Sequence, residues 1–193
     1  MAAACSIADL PTDVLQRILA ALTRQPGSTL DICSCLSVCK RWNSVGSCQE
    51  YWQHIDVSSN KKKRLSGRDL VKLVARSSSQ VLSLNLQECH IVDAHTIMQV
   101  LLSSQHLEEV DLSYCEQVAI HNIEFFLESV IERPNPKLKK LTIGYLGGCR
   151  PQDFNIVKQK GQAAGVQVNL APPHPRYAKL GRACLDFWDF SER

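Results

Sequence analysis

Apolar residues recur along the chain at two different spacings, and the change of spacing divides it. Over roughly the first quarter they fall at helical intervals. Leu15, Ile18, Leu19 and Leu22 follow i, i+3, i+4, i+7, one face of a helix. Pro11 suits the first helical position, where its missing N–H is no loss, and Asp13 suits the positive first turn. After residues 24–27, Ser28-Thr29-Leu30-Asp31 reads as a capping box opening a second helix. That helix is predicted to continue through Ile32, Cys35, Leu36, Cys39 and Trp42. A third short segment ends in Tyr51-Trp52. Helices this few and short cannot enclose a large core, so apolar surface is left over for a partner.

Further on, short alternating runs take over and repeat. Val81-x-x-Leu84-x-Leu86-x-x-Cys89 recurs as Leu107-x-x-Val110-x-Leu112-x-x-Cys115 and as Leu138-x-x-Leu141-x-Ile143-x-x-Leu146. From Val81 to Leu107 the offset is 26 residues, and from Leu107 to Leu138 it is 31. The extra length falls at Glu132-Arg133-Pro134-Asn135-Pro136, a loop by its prolines. Trp52-x-x-Ile55-x-Val57 is a degenerate first copy, and Val166-x-Val168-x-Leu170 a last one. Helical stripes lie between: Leu70, Leu73 and Val74; Ile97, Val100 and Leu101; Ile123, Phe126, Leu127, Val130 and Ile131; Phe154 and Val157. Strand, turn and helix at this period is a leucine-rich-repeat signature. Stacking of positions of the type Leu84, Leu112 and Leu141 then builds one continuous core.

Leu10-Pro11-x-Asp13-Val14-Leu15-x-x-Ile18-Leu19, then Val38-Cys39-Lys40-Arg41-Trp42, then Tyr51-Trp52-x-x-Ile55-Asp56-Val57, resembles an F-box. The loop at residues 24–29 is longer than that family usually has. The Cys-ended repeats resemble those that commonly follow an F-box. Together they imply an α/β fold: an N-terminal helical F-box followed by a short leucine-rich-repeat α/β horseshoe. The expected layout is an F-box at 8–57, four to five repeats at 52–170, and a tail at 171–193. The resemblance implies a substrate receptor whose box binds a Skp-family adaptor and, through it, a cullin, while the repeats hold an unknown protein target. It assigns adaptor binding to Leu10, Pro11, Val14, Leu15, Ile18, Leu22, Val38 and Trp42, at the interface or in the small core directly beneath it. A scaffold acting without ubiquitin transfer is the alternative.

Composition narrows the choice. A net charge of +3 over 193 residues is too small to argue for nucleic acid, and Lys61-Lys62-Lys63-Arg64 reads as a solvated loop rather than an import signal. No apolar run reaches the ~20 residues of a membrane span. Met1 to Ser6 lacks the parts of a secretory signal, and the nine cysteines, odd in number, include no Cys-x-x-Cys pair. Reduced cysteines in a cytoplasmic or nuclear protein are therefore expected. Cys33 and Cys35 face different directions on a helix, so they do not share a metal with Cys39. Cys115, near Glu116 and His121, and Cys89, beside His90, invite comparison with Cys/His nucleophiles. As repeat-closing residues they read instead as buried packing groups. No catalytic site, metal or cofactor is expected.

Alternation places His54, Asp56 and Ser58, then Ser83, Asn85 and Gln87, then Glu109, Asp111 and Ser113, then Lys140, Thr142 and Gly144 on the concave sheet face. Asp56, Asn85, Glu109, Asp111 and Thr142 are the expected target-binding residues, favouring a basic segment. Leu185-Asp186-Phe187-Trp188-Asp189-Phe190 ends the chain with three aromatics. Two readings stand for it: a free tail, or one docked over the last repeat or along the concave face.

Overall fold

The computed structural model describes residues 10–23, 29–58, 65–77, 80–133, 136–144, 146 and 151–172. The Lys61–Arg64 run, the Gly147-Gly148 turn and the aromatic tail lie outside them. Three helices come first: α1 (Thr12–Leu22), α2 (Thr29–Leu36) and α3 (Lys40–Gly46), followed by a 3-10 turn at Gln49–Trp52. Five strands and four helices then alternate: β1 (His54–Asp56), α4 (Gly67–Arg76), β2 (Ser83–Asn85), α5 (Ala94–Ser103), β3 (Glu109–Asp111), α6 (Ile120–Ile131), β4 (Lys140–Ile143), α7 (Pro151–Ala163) and β5 (Gln167–Leu170). The strands form one all-parallel sheet in the order β1-β2-β3-β4-β5. The architecture is mixed α/β with a helical N-terminal region.

Two helix boundaries differ from the spacing. Pro11 is the residue before α1, with φ −54° and ψ 149°, so Thr12 is the first helical residue. The second helix does not run on to Trp42. It stops at Leu36, and Cys39 is fully extended (φ −162°, ψ 170°) before α3 begins. Local polar bonds favour the break: Ser37 Oγ donates to Ser34 O at 2.6 Å, competing with a continued helix. Cys39 and Trp42 keep their apparent helical phase by coincidence of spacing.

The strand register fixes the core. Ile55 stands beside Leu84, Leu84 beside Val110, Val110 beside Leu141, and Leu141 beside Val168. Leu112 is thus one row away from the Leu84 and Leu141 row, because it comes two residues after Val110. Ile55, Leu84, Val110 and Leu141 are buried against Leu70, Ile97, Ile123 and Phe154 of the helices. Ile131, expected on the buried stripe, is 47% exposed, since α6 ends there and the chain turns away.

Capping punctuates the units. Ser66 and Asp69 form a reciprocal capping box on α4, with Asp69 N donating to Ser66 Oγ and Ser66 N to Asp69 Oδ2, both at 3.2 Å. Asp93 opens α5 by accepting from Thr96 N at 2.8 Å. Arg133 closes α5 from a distance. Its guanidinium donates to Leu102 O at 3.2 Å and Leu101 O at 3.4 Å, and lies over the Phe126 ring. Such a cation meets the negative end of the helix dipole.

The helical region and the sheet share one core. Leu19, Ile32 and Leu36 belong to the same buried cluster as Trp52 and Ile55. Trp52 is fully buried at the junction, donates from Nε1 to Gly46 O at 2.8 Å, and carries Arg76 5.0 Å above its ring. Thr29, the first residue of α2, accepts from Asp56 N at 2.8 Å and pins α2 to β1, while Ser28, the capping residue expected from the sequence, lies outside the described residues.

Candidate functional site

Two surfaces carry the expected binding residues. The first is the helical module. Of its eight expected adaptor residues, Leu15 and Trp42 are buried inside it. They lie in the small core beneath the surface, one of the two places expected for this set, rather than at the surface itself. Leu22 is half-buried and packs on the larger core. Leu10, Val14 and Ile18 are half-exposed, Pro11 is exposed, and Val38 is 49% exposed in the break between α2 and α3. The reachable apolar groups are therefore Leu10, Pro11, Val14, Ile18 and Val38. Arg41 ties α3 to the start of α1 by donating to Thr12 Oγ1 at 3.1 Å.

The second surface is the sheet face opposite the helices. It forms a shallow groove of about 340 Å³, lined by His54, Asp56, Ser83, Asn85, Glu109, Asp111, Lys140 and Thr142, with Thr23 of the helical module at its end. All five expected target-binding residues line it. Sequence register accounts for this: the residues flanking each buried Leu or Val pair across the sheet, Ser83 with Glu109 and Asn85 with Asp111. Three carboxylates face one lysine, so the groove has an acidic character.

Three of those five also have local duties that the sequence did not reveal. Asp56 Oδ1 accepts from Ser58 N at 2.9 Å, Asn85 Oδ1 from Gln87 N at 3.1 Å, and Asp111 Oδ1 from Ser113 N at 2.8 Å. Each side chain holds the turn after its strand, as Asp and Asn commonly do. Asp56 Oδ2 accepts a further bond from Asn85 Nδ2 at 3.2 Å. Glu109 is exposed at the centre of the groove. Ser113 and Gly144, expected on the open face, are buried near Ala171.

The cysteines differ from one another. Cys115 is fully buried, its thiol donating to Leu86 O at 3.1 Å, and burial pushes its pKa far upward. Cys89, expected to be buried as well, is only half-buried, though burial still raises its pKa. Neither is activated as a thiolate. Just before each, the backbone is left-handed, with φ 58° at Glu88 and 62° at Tyr114. Both units thus use the same strained turn with a residue other than glycine. Among the described residues no group of three or more His, Cys, Asp or Glu could hold a metal, and no helix is long and apolar enough to cross a membrane.

A protein-family model described as F-box-like matches residues 7–58, spanning α1 to the end of β1. The chain carries an F-box-like domain. Such domains commonly bind Skp-type adaptors and are typically adaptor or receptor modules, which points to Skp-associated ubiquitin ligase complexes in general. The break between α2 and α3 lies inside the F-box-like domain, as do Leu10, Pro11, Val14, Ile18 and Val38. No curated protein matches the chain.

Proposed function

We propose that the protein is a substrate-recognition subunit of a Skp–cullin–F-box ubiquitin ligase. The F-box-like domain docks on a Skp-family adaptor, and through it a cullin, by way of Leu10, Pro11, Val14, Ile18 and Val38. Residues 52–170 are a short leucine-rich-repeat array whose concave face holds a target protein. The observation that carries this reading is the continuous core from Leu19 through Trp52 to Ile55. It makes the adaptor-facing helices and the acidic groove one body, so a bound target is held at a fixed position relative to the ligase. The contribution to chemistry is proximity: tethering raises effective concentration, while other subunits transfer ubiquitin.

Glu109 and Asp111 at the centre of the groove favour a target with a basic segment, joined by Asp56, Asn85 and Thr142 at its sides. The buried thiol of Cys115 argues against a chain that transfers ubiquitin itself. Action in the cytoplasm or nucleus belongs to the same proposal.

Pull-down with a purified Skp-family adaptor tests it. Replacing Leu10 and Pro11 by Ala should weaken adaptor capture at unchanged folding, and equal capture would sink the adaptor assignment. A chain that binds adaptor but never co-purifies with a cullin would be an interaction scaffold without ubiquitin transfer.

A further inference from the structure

The groove on the open sheet face is not uniformly acidic. In register across the strands its residues fall into two rows. The row at the strand starts runs His54, Ser83, Glu109, Lys140, so Lys140 stands beside Glu109 and offsets its charge. The row at the strand ends runs Asp56, Asn85, Asp111, Thr142, with two carboxylates and no cation. These four residues are half-buried, so their charges are screened less than that of exposed Glu109. Among the described residues no cation pairs with Asp56 or Asp111.

Both carboxylates are held in place. Ser58 N donates to Asp56 Oδ1 and Ser113 N to Asp111 Oδ1, while Asn85 lies between them and donates to Asp56 Oδ2. One row beyond Asp111, on the same side of the sheet, Ser113 Oγ is buried without a hydrogen-bond partner. The wall beside Asp111 thus keeps a polar atom that no described residue satisfies.

Spacing selects the ligand. Asp56 is on β1 and Asp111 on β3, about 9.6 Å apart at the usual strand spacing. A chain in the polyproline II conformation rises about 3.1 Å per residue with three residues per turn, so positions i and i+3 share a side about 9.3 Å apart. A fully extended chain puts same-side residues about 6.6 Å apart. A helix about 10–12 Å across is too wide to enter a groove of about 340 Å³. Strands β1 to β4 span about 14 Å, the length of roughly four to five polyproline II residues.

We infer that the groove takes a polyproline II segment lying across the strands, with two cations three positions apart, one on Asp56 and one on Asp111. The inference rests on the reading of this face as the target surface and names the pattern a target carries there. Prolines between the cations favour it, because they hold φ near about −65° and lower the cost of ordering the segment.

Fluorescence anisotropy with the full chain and labelled synthetic peptides tests this. Three peptides of identical composition, each with two arginines among prolines and alanines, would separate the arginines by one, two or three residues. The two-residue separation should bind roughly three- to fivefold more tightly than the others, as one partly exposed ion pair gives. D56N and D111N keep the side-chain oxygen that holds each turn, and each should remove that preference. E109Q should weaken all three peptides and leave the preference in place. Equal affinity for the three, or a preference that survives both D56N and D111N, would overturn the inference. Binding of all three without a preference leaves the target reading standing and removes only the spacing. If none binds more tightly than an arginine-free peptide of the same length, the reading of a basic target has failed and the inference falls with it.

Discussion

The helical module and the sheet treat their apolar residues differently. In α1 one apolar stripe is divided: Leu15 and Leu19 are buried, while Val14 and Ile18 of the same helix stay within reach of solvent. In strands β1 to β4 the division is complete. Ile55, Leu84, Val110 and Leu141 are all buried, and the residues between them are polar. Three short helices have too little interior for all their apolar groups, whereas stacked units provide a continuous one. The module is thus left with an apolar surface and the sheet with an acidic one. One packing rule leaves two kinds of surface.

Trp52, where the two regions meet, should give the largest effect. Trp52→Ala removes a fully buried ring and its bond to Gly46 O, and should cost about 3–5 kcal/mol. Denaturant unfolding should remain a single transition; two separate transitions would show that the regions are independent. Leu15→Ala should cost about 2–5 kcal/mol, while Val38→Asp should leave stability within about 0.5 kcal/mol and reduce adaptor binding. Parallel unfolding and pull-down measurements check the contrast, which fails if Val38→Asp unfolds the protein.

Arg133→Met should cost about 1–2 kcal/mol through lost bonds to the α5 carbonyls. Hydrogen exchange should rise first at the end of α5. Cys115→Ala should cost roughly 1–2 kcal/mol. In the native protein, thiol labelling should modify exposed Cys48 rapidly and spare Cys115. Rapid native labelling of Cys115 would contradict its packing role.

The smallest effect concerns pH. The Thr96 backbone N–H holds the Asp93 carboxyl below its usual range, as the Ser66 hydroxyl does for Asp69. A depressed folded pKa stabilises above the unfolded value, near 4, and that stability is lost as pH falls through the folded value. Asp93→Asn keeps an acceptor but not the charge. It should be slightly less stable at neutral pH, and the difference should vanish on acidification; a gap that widened instead would reverse the assignment.

Legibility in the sequence tracked the range of the interactions involved. The strands and the polar groove residues were readable because an alternation of two fixes which side chains share a face. Helix phase was readable too, but not the break at Ser37–Cys39, where side-chain bonds to backbone interrupt an otherwise regular stripe. Burial within the module was only partly readable: interface and small core both stood open for Trp42 and Val38, and only three-dimensional packing separates them. Thr29 bonding to Asp56, Arg133 reaching α5 and Tyr114 reaching Pro172 join residues 27 to 58 positions apart, with no local signal for any of them.

The division of labour between the two surfaces is tested most directly by affinity purification with the proteasome blocked. The unsubstituted chain, Leu10→Ala/Pro11→Ala and Glu109→Lys/Asp111→Lys would be compared. The first double variant should lose adaptor and cullin but keep its targets. The second should keep adaptor and cullin and lose targets. Loss of both classes together from either folded variant, or an unchanged target set after the groove reversal, would contradict the account.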